Sequence, residues 1–481
     1  MAGQYLPLGA NAYSDNAYGY PPVVLENWFA ESSPDRNDIP YRLLPTPGLA
    51  SFKPGLGDTG VRGWFQSDGL VSGDIVVSVE DATYRIDALA ATTQIAVKAG
   101  STALGLTYPA RFAGSQADLC MTVGGNAYYL DATPEWVDIT VGAASGDITD
   151  VAEIAQIHVF LENGTGRFWW SDAGDPTTVE ATSFATAESE PDNLLALRVF
   201  GDILYLFGTQ STELWVYTGD AAVPFRPLSV SIPVGIVGRE AVAQGDFGIF
   251  AVGIDKSAGS TLVYRVENGR PQRISTHPIE RLIEDVATAD RDDIKLSIHG
   301  WGGHVFVGLH LPGVGDYFYD VALQTWHRRK SFCVTDRYLC DTFISAFGEV
   351  FGGRFCSGEI FRLDRDAYKD DGEYVRRVAQ VLVPVPDGRP AISNVVVEMQ
   401  PGVGLVSGQG SNPEVMLRWS DNGRSWSNEV TRSFGEIGDY NAVARFGPLG
   451  RFRPPVMALE VAVSDPVPAT VTGLVVDRVR A

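Results

Sequence analysis

Three histidines near residue 300 are of the type that binds zinc and other transition metals. His304 and His310 are an even number of residues apart, so on one strand they would project from the same face. His299 is an odd number of residues from both, and no acidic residue lies among the three. The His-x-Glu and His-Glu-x-x-His spacings of metal sites are also missing. The sequence therefore predicts no metal centre and no bound cofactor.

Glycoside cleavage is the second chemistry that the residue types suggest. Residues 420–426 read SDNGRSW, which matches the Asp-box pattern S-x-D-x-G-x-x-W only loosely because Asp421 directly follows Ser420. The stretch resembles the turn of sialidase-type propellers, in which Asp and Gly shape a hairpin and Trp426 would pack into the sheet. Such a turn supplies no catalytic pair of carboxylates. Nucleophile elbows and phosphate-binding loops are missing too, so we predict no catalytic residues and no enzymatic activity.

The basic run Arg328-Arg329-Lys330 is the candidate for binding nucleic-acid phosphate. The chain as a whole has a formal net charge of −22, which repels phosphate on average. We therefore interpret the run as solvated charges at the end of a strand. An acidic surface predicts that DNA passes such a protein without tight binding.

The four cysteines, Cys120, Cys333, Cys340 and Cys356, are too few and too irregularly spaced for a disulfide framework. We expect reduced thiols. The first residues lack the charged and apolar regions of a signal peptide, and no run reaches the roughly 20 apolar residues of a membrane span. The sequence therefore predicts synthesis and folding in a cytoplasm, without a membrane anchor.

Short strands are the elements that would position any functional residue. Glycine (52) and proline (28) are scattered along the chain, and long runs of helix-forming residues are nearly absent. An apolar share of 45% with a mean hydropathy near zero is typical of a folded globular protein. These features together predict an all-β fold.

A unit of strand, turn and strand recurs seven times from about residue 60. It begins on a small residue, continues into an apolar strand and ends on a strand with an aromatic residue. The units open at Gly73, Ala117, Ala155, Gly201, Gly245, Gly302 and Gly348. Their separations of 38 to 57 residues favour a β-propeller of about seven blades over a pair of β-sandwiches. Within this scheme Gly302-Gly303 and Gly352-Gly353 are interpreted as blade turns.

Two further segments flank the repeats. Residues 1–58, which include Tyr20-Pro21-Pro22, show no period and predict an extended N-terminal arm. The repeats assign residues 59–370 to the propeller, and the period lapses after the charged segment 364–372. Residues 371–481 predict an additional C-terminal β-sandwich, with alternating strands at 379–383, 394–399, 415–419 and 456–463.

Three stretches carry a family resemblance. The first comprises ENWFAE at 26–31 and LPTPGL at 44–49, and the third comprises RWSDNG at 418–423 and LGRFR at 449–453. The second is the most distinctive and comprises SEPDNLL at 189–195, LFGTQSTE at 206–213 and YTG at 217–219. Together they resemble the packaged-DNA stabilisation proteins of short-tailed bacteriophages, which are also called tail accessory, tail hub or tail nozzle proteins.

The resemblance implies a structural virion protein of a phage tail. Members of that family form a ring, here expected to be a homohexamer, below the portal and its adaptor. The ring closes the DNA channel, stabilises packaged DNA, supports genome ejection and carries a tail needle, fibre or tip protein. The alternative is a receptor- or glycan-binding tail propeller, with or without glycosidase activity, in which Trp169, Trp170 and Trp215 stack on sugars. Aromatic residues at such positions are more often part of the core.

Overall fold

The structure is a computed structural model of the 481-residue chain. It describes residues 4–6, 24–33, 41–114, 118–187, 192–220, 223–255, 259–267, 269–332, 334, 336–385, 387, 391–453 and 456–479. Tyr20-Pro21-Pro22 of the predicted arm, Ala117 of the second repeat, the SEP of residues 189–191 and Cys333 lie outside these residues.

Strands already occur in the segment predicted as an arm. They are β1 (Gln4–Tyr5), β2 (Leu25–Glu26), β3 (Trp28–Ser32), β4 (Tyr41–Pro45) and β5 (Gly48–Lys53). They form no sheet by themselves: β3 pairs with β4, and β1, β2, β4 and β5 each pair with strands from much later in the chain.

Seven four-stranded antiparallel blades surround one axis in the described part of the chain. Blade 1 contains β6 (Val61–Phe65), β7 (Ile75–Val79), β8 (Ala82–Ile86) and β9 (Thr92–Ile95). Blade 2 contains β10 (Arg111–Gly114), β11 (Leu119–Val123), β12 (Asn126–Leu130) and β13 (Trp136–Ile139). Blade 3 contains β14 (Ile148–Ile154), β15 (Ile157–Glu162), β16 (Arg167–Trp170) and β17 (Phe184–Thr186). A short 3₁₀ helix, Val71–Gly73, precedes β7.

The remaining blades follow in the same order. Blades 4 and 5 contain β18 (Leu194–Phe200), β19 (Ile203–Gly208), β20 (Thr212–Tyr217) and β21 (Phe225–Ile232); and β22 (Val242–Gly245), β23 (Gly248–Ile254), β24 (Thr261–Glu267) and β25 (Arg270–Arg273). Blade 6 contains β26 (Lys295–Trp301), β27 (His304–Leu311), β28 (Gly315–Asp320) and β29 (Thr325–Arg329), and blade 7 contains β30 (Cys340–Ala346), β31 (Glu349–Arg354), β32 (Ile360–Asp364) and β5. Helix α1 (His277–Glu284) and a 3₁₀ helix (Thr288–Asp293) lie between blades 5 and 6.

The second strands are apolar because neighbouring blades cover both faces of each sheet. All residues of β7 and of β11 are buried, which explains why these strands read as continuous apolar runs without alternation. The repeat openings at Gly73, Gly201, Gly302 and Gly348 lie in the turns just before these second strands. The widest separation, between the openings of blades 5 and 6, contains α1 and its following 3₁₀ helix.

The N-terminal strand β5 closes the ring of blades. It pairs antiparallel with β32, with Leu49 opposite Leu363, and so supplies the outer strand of blade 7. Its other edge is extended by β33 (Lys369–Asp370), which pairs with β34 (Glu373–Tyr374). Closure between two ends of the propeller segment removes the open edge that a linear array of blades would leave.

The second domain is a β-sandwich. Its C-terminal strands are β35 (Arg377–Pro384), β36 (Ala391–Met399), β37 (Glu414–Ser420), β38 (Val430–Ser433), β39 (Ala444–Phe446), β40 (Gly450–Arg451), β41 (Val456–Val463) and β42 (Val471–Val479). One layer has the order β3-β4-β42-β36-β39, with β1 on β42 and β40 on β36. Trp28, Val397, Leu417, Leu459 and Leu474 are among the buried side chains between the layers.

A continuous sheet joins the two domains. Its nine strands run β26-β27-β28-β29-β2-β35-β41-β37-β38, so blade 6 and one layer of the sandwich are parts of the same sheet. The joint is β2, in which Glu26 pairs with Arg328 of β29 on one side and with Val378 of β35 on the other. Asn27 reinforces it, because its amide group donates to the carbonyls of Lys330 and Arg376 at 2.8 Å each.

The predicted fold class, an all-β propeller with an additional C-terminal sandwich, is confirmed, with 53% of the residues in strands. One local interpretation was wrong. Gly352 and Gly353 lie inside β31 rather than in a turn. A Cβ on Gly352 would lie 2.7 Å from Cys340 Sγ, and one on Gly353 would lie 2.7 Å from Val61 Cγ2, so close packing of strands explains this pair. By contrast, Gly302-Gly303 forms the turn between β26 and β27, with positive φ at both residues.

Candidate functional site

The first strand of every blade lines the axis of the propeller. These inner strands are β6, β10, β14, β18, β22, β26 and β30. On or just before its inner strand, each blade presents one charged side chain to the narrow part of the axial passage. In order from blade 1 to blade 7 they are Arg62, Arg111, Asp150, Arg198, Glu240, Lys295 and Asp341. We call this set the axial charge ring.

The signs in the axial charge ring alternate over most of its circumference. Arg198 Nη1 donates to Asp150 Oδ2 at 2.9 Å, which joins blades 4 and 3. Lys295 Nζ lies 3.6 Å from Glu240 Oε1 and 3.3 Å from Asp341 Oδ2, which joins blade 6 to both of its neighbours. These ion pairs connect inner strands that share no backbone ladder.

An odd number of blades leaves one place where like charges are neighbours. That place lies between blades 1 and 2, where Arg62 is followed by Arg111. The Arg62 guanidinium turns to the backbone and donates to the carbonyl oxygens of Glu80 (2.5 Å), Gly105 (2.9 Å), Thr107 (3.1 Å) and Tyr108. Carbonyl dipoles thus stabilise this cation, which has a carboxylate neighbour on one side of the ring but Arg111 on the other.

The three carboxylates of the ring are balanced by neighbouring cations. Burial raises the pKa of Glu240, but Lys295, Arg111 and Arg198 outweigh burial and hold that pKa below its usual value. Burial lowers the pKa of Lys295, but Asp341 and Glu240 outweigh it and raise that pKa. Both groups therefore stay charged near neutral pH, as an ion-pair network requires. A general acid or base, by contrast, has a pKa near the operating pH.

The axial charge ring separates two cavities along the axis. One, of about 510 Å³, lies where the inner strands end, and the other, of about 780 Å³, lies where they begin. The two share Arg62, Glu240, Lys295 and Asp341 in their walls. Cavities of this size hold small solutes, and a nucleic-acid duplex does not pass through them. Within the described residues no group of three or more His, Cys, Asp or Glu side chains could hold a metal ion.

The histidines of the sequence analysis are held by carboxylates that the sequence pattern did not reveal. His304 Nδ1 lies 2.7 Å from Asp320 Oδ2, and its Nε2 lies 3.0 Å from Glu31 Oε2. His310 Nδ1 lies 2.7 Å from Asp316 Oδ1. The sequence showed no acidic residue among the histidines, but antiparallel pairing of β28 with β27 brings Asp316 and Asp320 beside them, and Glu31 comes from β3. Each histidine thus takes part in a buried polar contact between strands.

The interpretation of Arg328-Arg329-Lys330 as solvated charges was wrong for its central residue. Arg329 is completely buried, its guanidinium lies over the rings of Phe306 (4.8 Å) and Phe318 (4.2 Å), and its Nη1 lies 3.2 Å from His299 Nε2. Burial, and then the Arg329 charge, hold the pKa of His299 well below its usual value. The two outer residues are paired, since Arg328 and Lys330 lie 2.9 and 2.8 Å from Asp336 Oδ1.

The Asp-box-like turn follows β37 in the sandwich, and its capping residue differs from the prediction. Asn422 Oδ1 accepts from the backbone N–H groups of Arg424 and Ser425 at 2.8 Å each, and Ser420 Oγ accepts from that of Gly423 at 2.8 Å. Asp421 is exposed. A side chain one position later caps the turn because Asp directly follows Ser here. Trp426 is half-buried and lies against Arg418, 4.9 Å from the guanidinium to the ring centre.

The three tryptophans considered for sugar stacking are buried. Trp169 Nε1 donates to Glu162 Oε2 and Trp215 Nε1 to Glu213 Oε2, each at 3.0 Å. Trp170 and Trp215 nevertheless form part of the wall of a cavity of about 830 Å³ between blades 3 and 4.

The most distinctive sequence stretch has a structural explanation in blade 4. Asp192 Oδ2 accepts from the backbone N–H groups of Gln210 (2.8 Å) and Ser211 (3.0 Å), in the turn between β19 and β20. A Cβ on Gly208 would lie 2.4 Å from the same carboxylate oxygen. The DN (192–193) and FGTQST (207–212) parts of the motif are therefore a loop and a turn that brace each other.

Comparison with known families agrees with this architecture along almost the whole chain. The family model described as the β-propeller of bacteriophage P22 Gp10 matches residues 6–367, and the model described as the β-sandwich of the same protein matches residues 380–478. The chain belongs to the phage P22 Gp10 family. The resemblance predicted from the three sequence stretches is thereby confirmed.

A curated relative of this Gp10-family chain is the tail hub protein gp10 of Salmonella phage P22. The two are 24% identical over 178 residues, which cover 35% of this chain and 36% of the relative. Solved structures of similar shape include virginiamycin B lyase from Staphylococcus aureus, with 11% identity, a TM-score of 0.40, and coverage of 65% of this chain and 97% of the lyase. The computationally designed Ika8 protein has 13% identity, a TM-score of 0.39, and coverage of 76% of this chain and 98% of the Ika8 chain.

Neither the axial charge ring nor the shared sheet was found from sequence. The repeat units were aligned on the second and third strands of each blade, whereas the ring residues lie on or before the first strand, at varying distances from the openings. The sequence signal that could have revealed the axial charge ring was one charged residue shortly before the opening of each repeat.

Proposed function

We propose that this Gp10-family chain is a structural protein of a phage tail that forms a ring below the portal and its adaptor. In this role the ring closes the DNA channel, stabilises packaged DNA, supports genome ejection and holds needle, fibre or tip proteins. The observation that carries the proposal is family membership across both domains, together with the tail hub role named for the P22 relative. The virion tail is accordingly the proposed location.

The joint between the domains supports a load-bearing role. A sheet that continues from blade 6 into the sandwich transmits force through backbone hydrogen bonds rather than through a flexible linker. A component that must hold packaged DNA and then release it benefits from domains that keep one relative orientation. Among the described residues no helix is long and apolar enough to cross a membrane.

The axial charge ring bears on the path of the DNA. Ion pairs join neighbouring inner strands, and Arg111 Nη2 of blade 2 lies 4.0 Å from Glu240 Oε1 of blade 5, across the axis. We therefore propose that DNA passes through the opening between subunits and not along a propeller axis. A surface of net charge −22 per chain would face it, and such a surface opposes adsorption of phosphate. We further propose that the chain is not an enzyme, because its axial carboxylates are engaged with cations.

Electron microscopy of the full chain mixed with its own portal–adaptor complex tests this function. We expect rings attached below the adaptor, and the complex imaged without the chain is the control. Absence of both rings and attachment would contradict the proposal. A chain that stays monomeric by itself is compatible with assembly on the adaptor as a template, so the mixture is the informative sample.

A second candidate function, recognition of a host glycan by a tail propeller, is favoured by the cavity between blades 3 and 4. Trp170, Trp215 and the 40%-exposed Phe184 line it together with Asp220 and Arg226, a mixture of rings and polar groups suited to sugars. A glycan array with a lipopolysaccharide-degradation assay tests this candidate. Specific glycan binding that is lost in the Phe184→Ala variant would favour glycan recognition over the tail-ring function.

A further inference from the structure

The inner hairpins of the propeller present aromatic side chains on one face. In each blade the first strand turns into the second at the same end of the axis, and we call that side the hairpin face. Phe200 of blade 4, Phe247 of blade 5 and Phe347 of blade 7 occupy these turns with 37%, 51% and 36% of their surfaces exposed. Phe65 and Trp301 occupy the matching positions of blades 1 and 6 and are half-buried. Three of the seven hairpins thus present an exposed aromatic ring, whereas Phe65 and Trp301 pack against the cores between blades.

This arrangement is not explained by the fold. Each of the three exposed phenylalanines, Phe200, Phe247 and Phe347, directly precedes a glycine with positive φ. A polar residue would satisfy the local geometry of these turns equally well. A set of exposed rings gathered around one opening is typical of a surface that is covered in an assembly.

The charges on the same hairpins identify the occupant. The turn residues 66–74, 118, 155–156, 201–202, 246–247, 302–303 and 347–348 contain no Lys or Arg, and this covers the described residues of all seven turns. They and the residues up to two positions from them include Asp68, Asp118, Glu153, Asp202, Asp246 and Glu349. Carboxylates alternating with aromatic faces are the chemistry that binds ammonium and guanidinium groups.

We propose that the hairpin face docks a Lys- and Arg-bearing segment of another tail protein. The proposal rests on the proposed function in that it places the partner in the tail. DNA is the wrong occupant because six of the seven hairpins carry carboxylates, which repel phosphate. A second copy of this chain is disfavoured because its own net charge is −22. Each cation–ring or ion-pair contact is weak by itself, and the circular repetition of hairpins makes the whole surface specific.

Footprinting of assembled tails tests the surface. Hydroxyl radicals oxidise exposed phenylalanines, so the oxidation of Phe200 and Phe247 is compared between purified chain and intact tails. We expect several-fold protection of both rings in the tail. Full oxidation of both rings in tails that contain the chain would overturn this inference while leaving the tail function intact. Absence of the chain from the tail would instead overturn the proposed function.

Charge variants test the chemistry of the occupant. We expect the triple variant Asp202→Asn, Asp246→Asn, Glu349→Gln to incorporate its partner into tails about tenfold less well, as for loss of several rim contacts. The matched control Asp81→Asn, Asp290→Asn, Asp292→Asn changes the net charge equally through exposed carboxylates away from the hairpin turns and should assemble like the original chain. Equal effects of both triples would overturn the proposal.

A photo-crosslinking side chain at position 247, in place of Phe247, then identifies the occupant. Mass spectrometry of the crosslinked peptide is expected to show a Lys- or Arg-rich segment of a different tail protein. Crosslinks to a second copy of this chain, to DNA or to an acidic segment would each contradict the proposal.

Discussion

Lys295 Nζ lies 3.3 Å from Asp341 Oδ2, across the boundary between blades 6 and 7. Both groups are mostly buried, at 13% and 14% side-chain exposure, and the same ammonium also lies 3.6 Å from Glu240 of blade 5. One lysine thus joins three consecutive blades at the axis. Apolar contacts make up much of the packing between blades and have no preferred direction, so directed ion pairs give the ring a defined register.

Removing the Lys295 charge should therefore destabilise the whole propeller. We expect Lys295→Met to lower the free energy of unfolding by about 3–5 kcal/mol, because two buried carboxylates lose their partner. Chemical denaturation followed by tryptophan fluorescence measures the change. The control is Lys98→Met, since Lys98 pairs with Asp131 at 2.7 Å on the surface, and its unfolding midpoint should stay unchanged. Equal effects of the two substitutions would contradict a special role of the axis.

Closure of the propeller by β5 predicts a strong effect of proline in that strand. β5 is an interior strand with β32 and β33 at its two edges, so we expect Ala50→Pro to cost about 3 kcal/mol or more and to promote aggregation. Gln94→Pro in β9, the edge strand of blade 1, is the matched control and should be tolerated, because the N–H of this exposed residue faces away from β8. Thermal unfolding and size-exclusion chromatography compare the two. A tolerated Ala50→Pro would show that blade 7 closes without β5.

The blades were predictable because their signal is local. Each apolar second strand and its turn lie within a few residues, and the six openings that lie among the described residues fall in the first hairpins of their blades. The role of the N-terminal strands was not predictable in this way. Leu49 pairs with Leu363 and Glu26 pairs with Arg328, in each case more than 300 residues away. The residues of a strand of two to six positions do not indicate which distant strand it will pair with.

The site was less predictable than the fold. Alternation of charge around the axis exists only once seven strands converge, so Arg62 and Asp341 become neighbours through ring closure alone. The burial of Arg329 depends in the same way on Phe306 and Phe318 from two other strands of blade 6. Basic residues in a run look alike in sequence, whereas strand alternation directs Arg329 inwards and its two neighbours outwards.

The turn after β37 allows a prediction within a single motif. We expect Asn422→Ala to lower the free energy of unfolding by about 1 kcal/mol, because two backbone N–H groups at 2.8 Å lose their acceptor. Asp421→Ala should have no measurable effect, since that side chain is exposed. Denaturant unfolding distinguishes the two variants. A larger loss of stability in Asp421→Ala than in Asn422→Ala would show that Asp421 caps the turn, as in an Asp box.

His304 predicts a pH dependence of stability. Hydrogen bonding to Asp320 raises its pKa from 6.5 to about 9, so the protonated form joins Asp320 to Glu31. A raised pKa in the folded state means that this stabilisation is complete below pH 6.5 and is lost as the pH rises through about 9. We expect a decline of about 2 kcal/mol over that window, allowing for the partial exposure of Glu31, and a flatter profile for His304→Gln. Unfolding free energies measured at intervals across the window provide the check, and parallel profiles of the two proteins would contradict it.

The engagement of the basic run predicts negligible binding of DNA. Arg329 is buried, and Arg328 and Lys330 are held by Asp336, so no member of the run is available to neutralise phosphate on a surface of net charge −22. At about 150 mM salt we expect the chain to retain duplex DNA no better than an acidic control protein of similar size. The double variant Arg328→Gln, Lys330→Gln should leave fluorescence anisotropy of labelled DNA unchanged. Low-micromolar binding with a steep salt dependence that the double variant abolishes would instead make this run a phosphate clamp, and packaged DNA would then be held by contact rather than by closure of the channel.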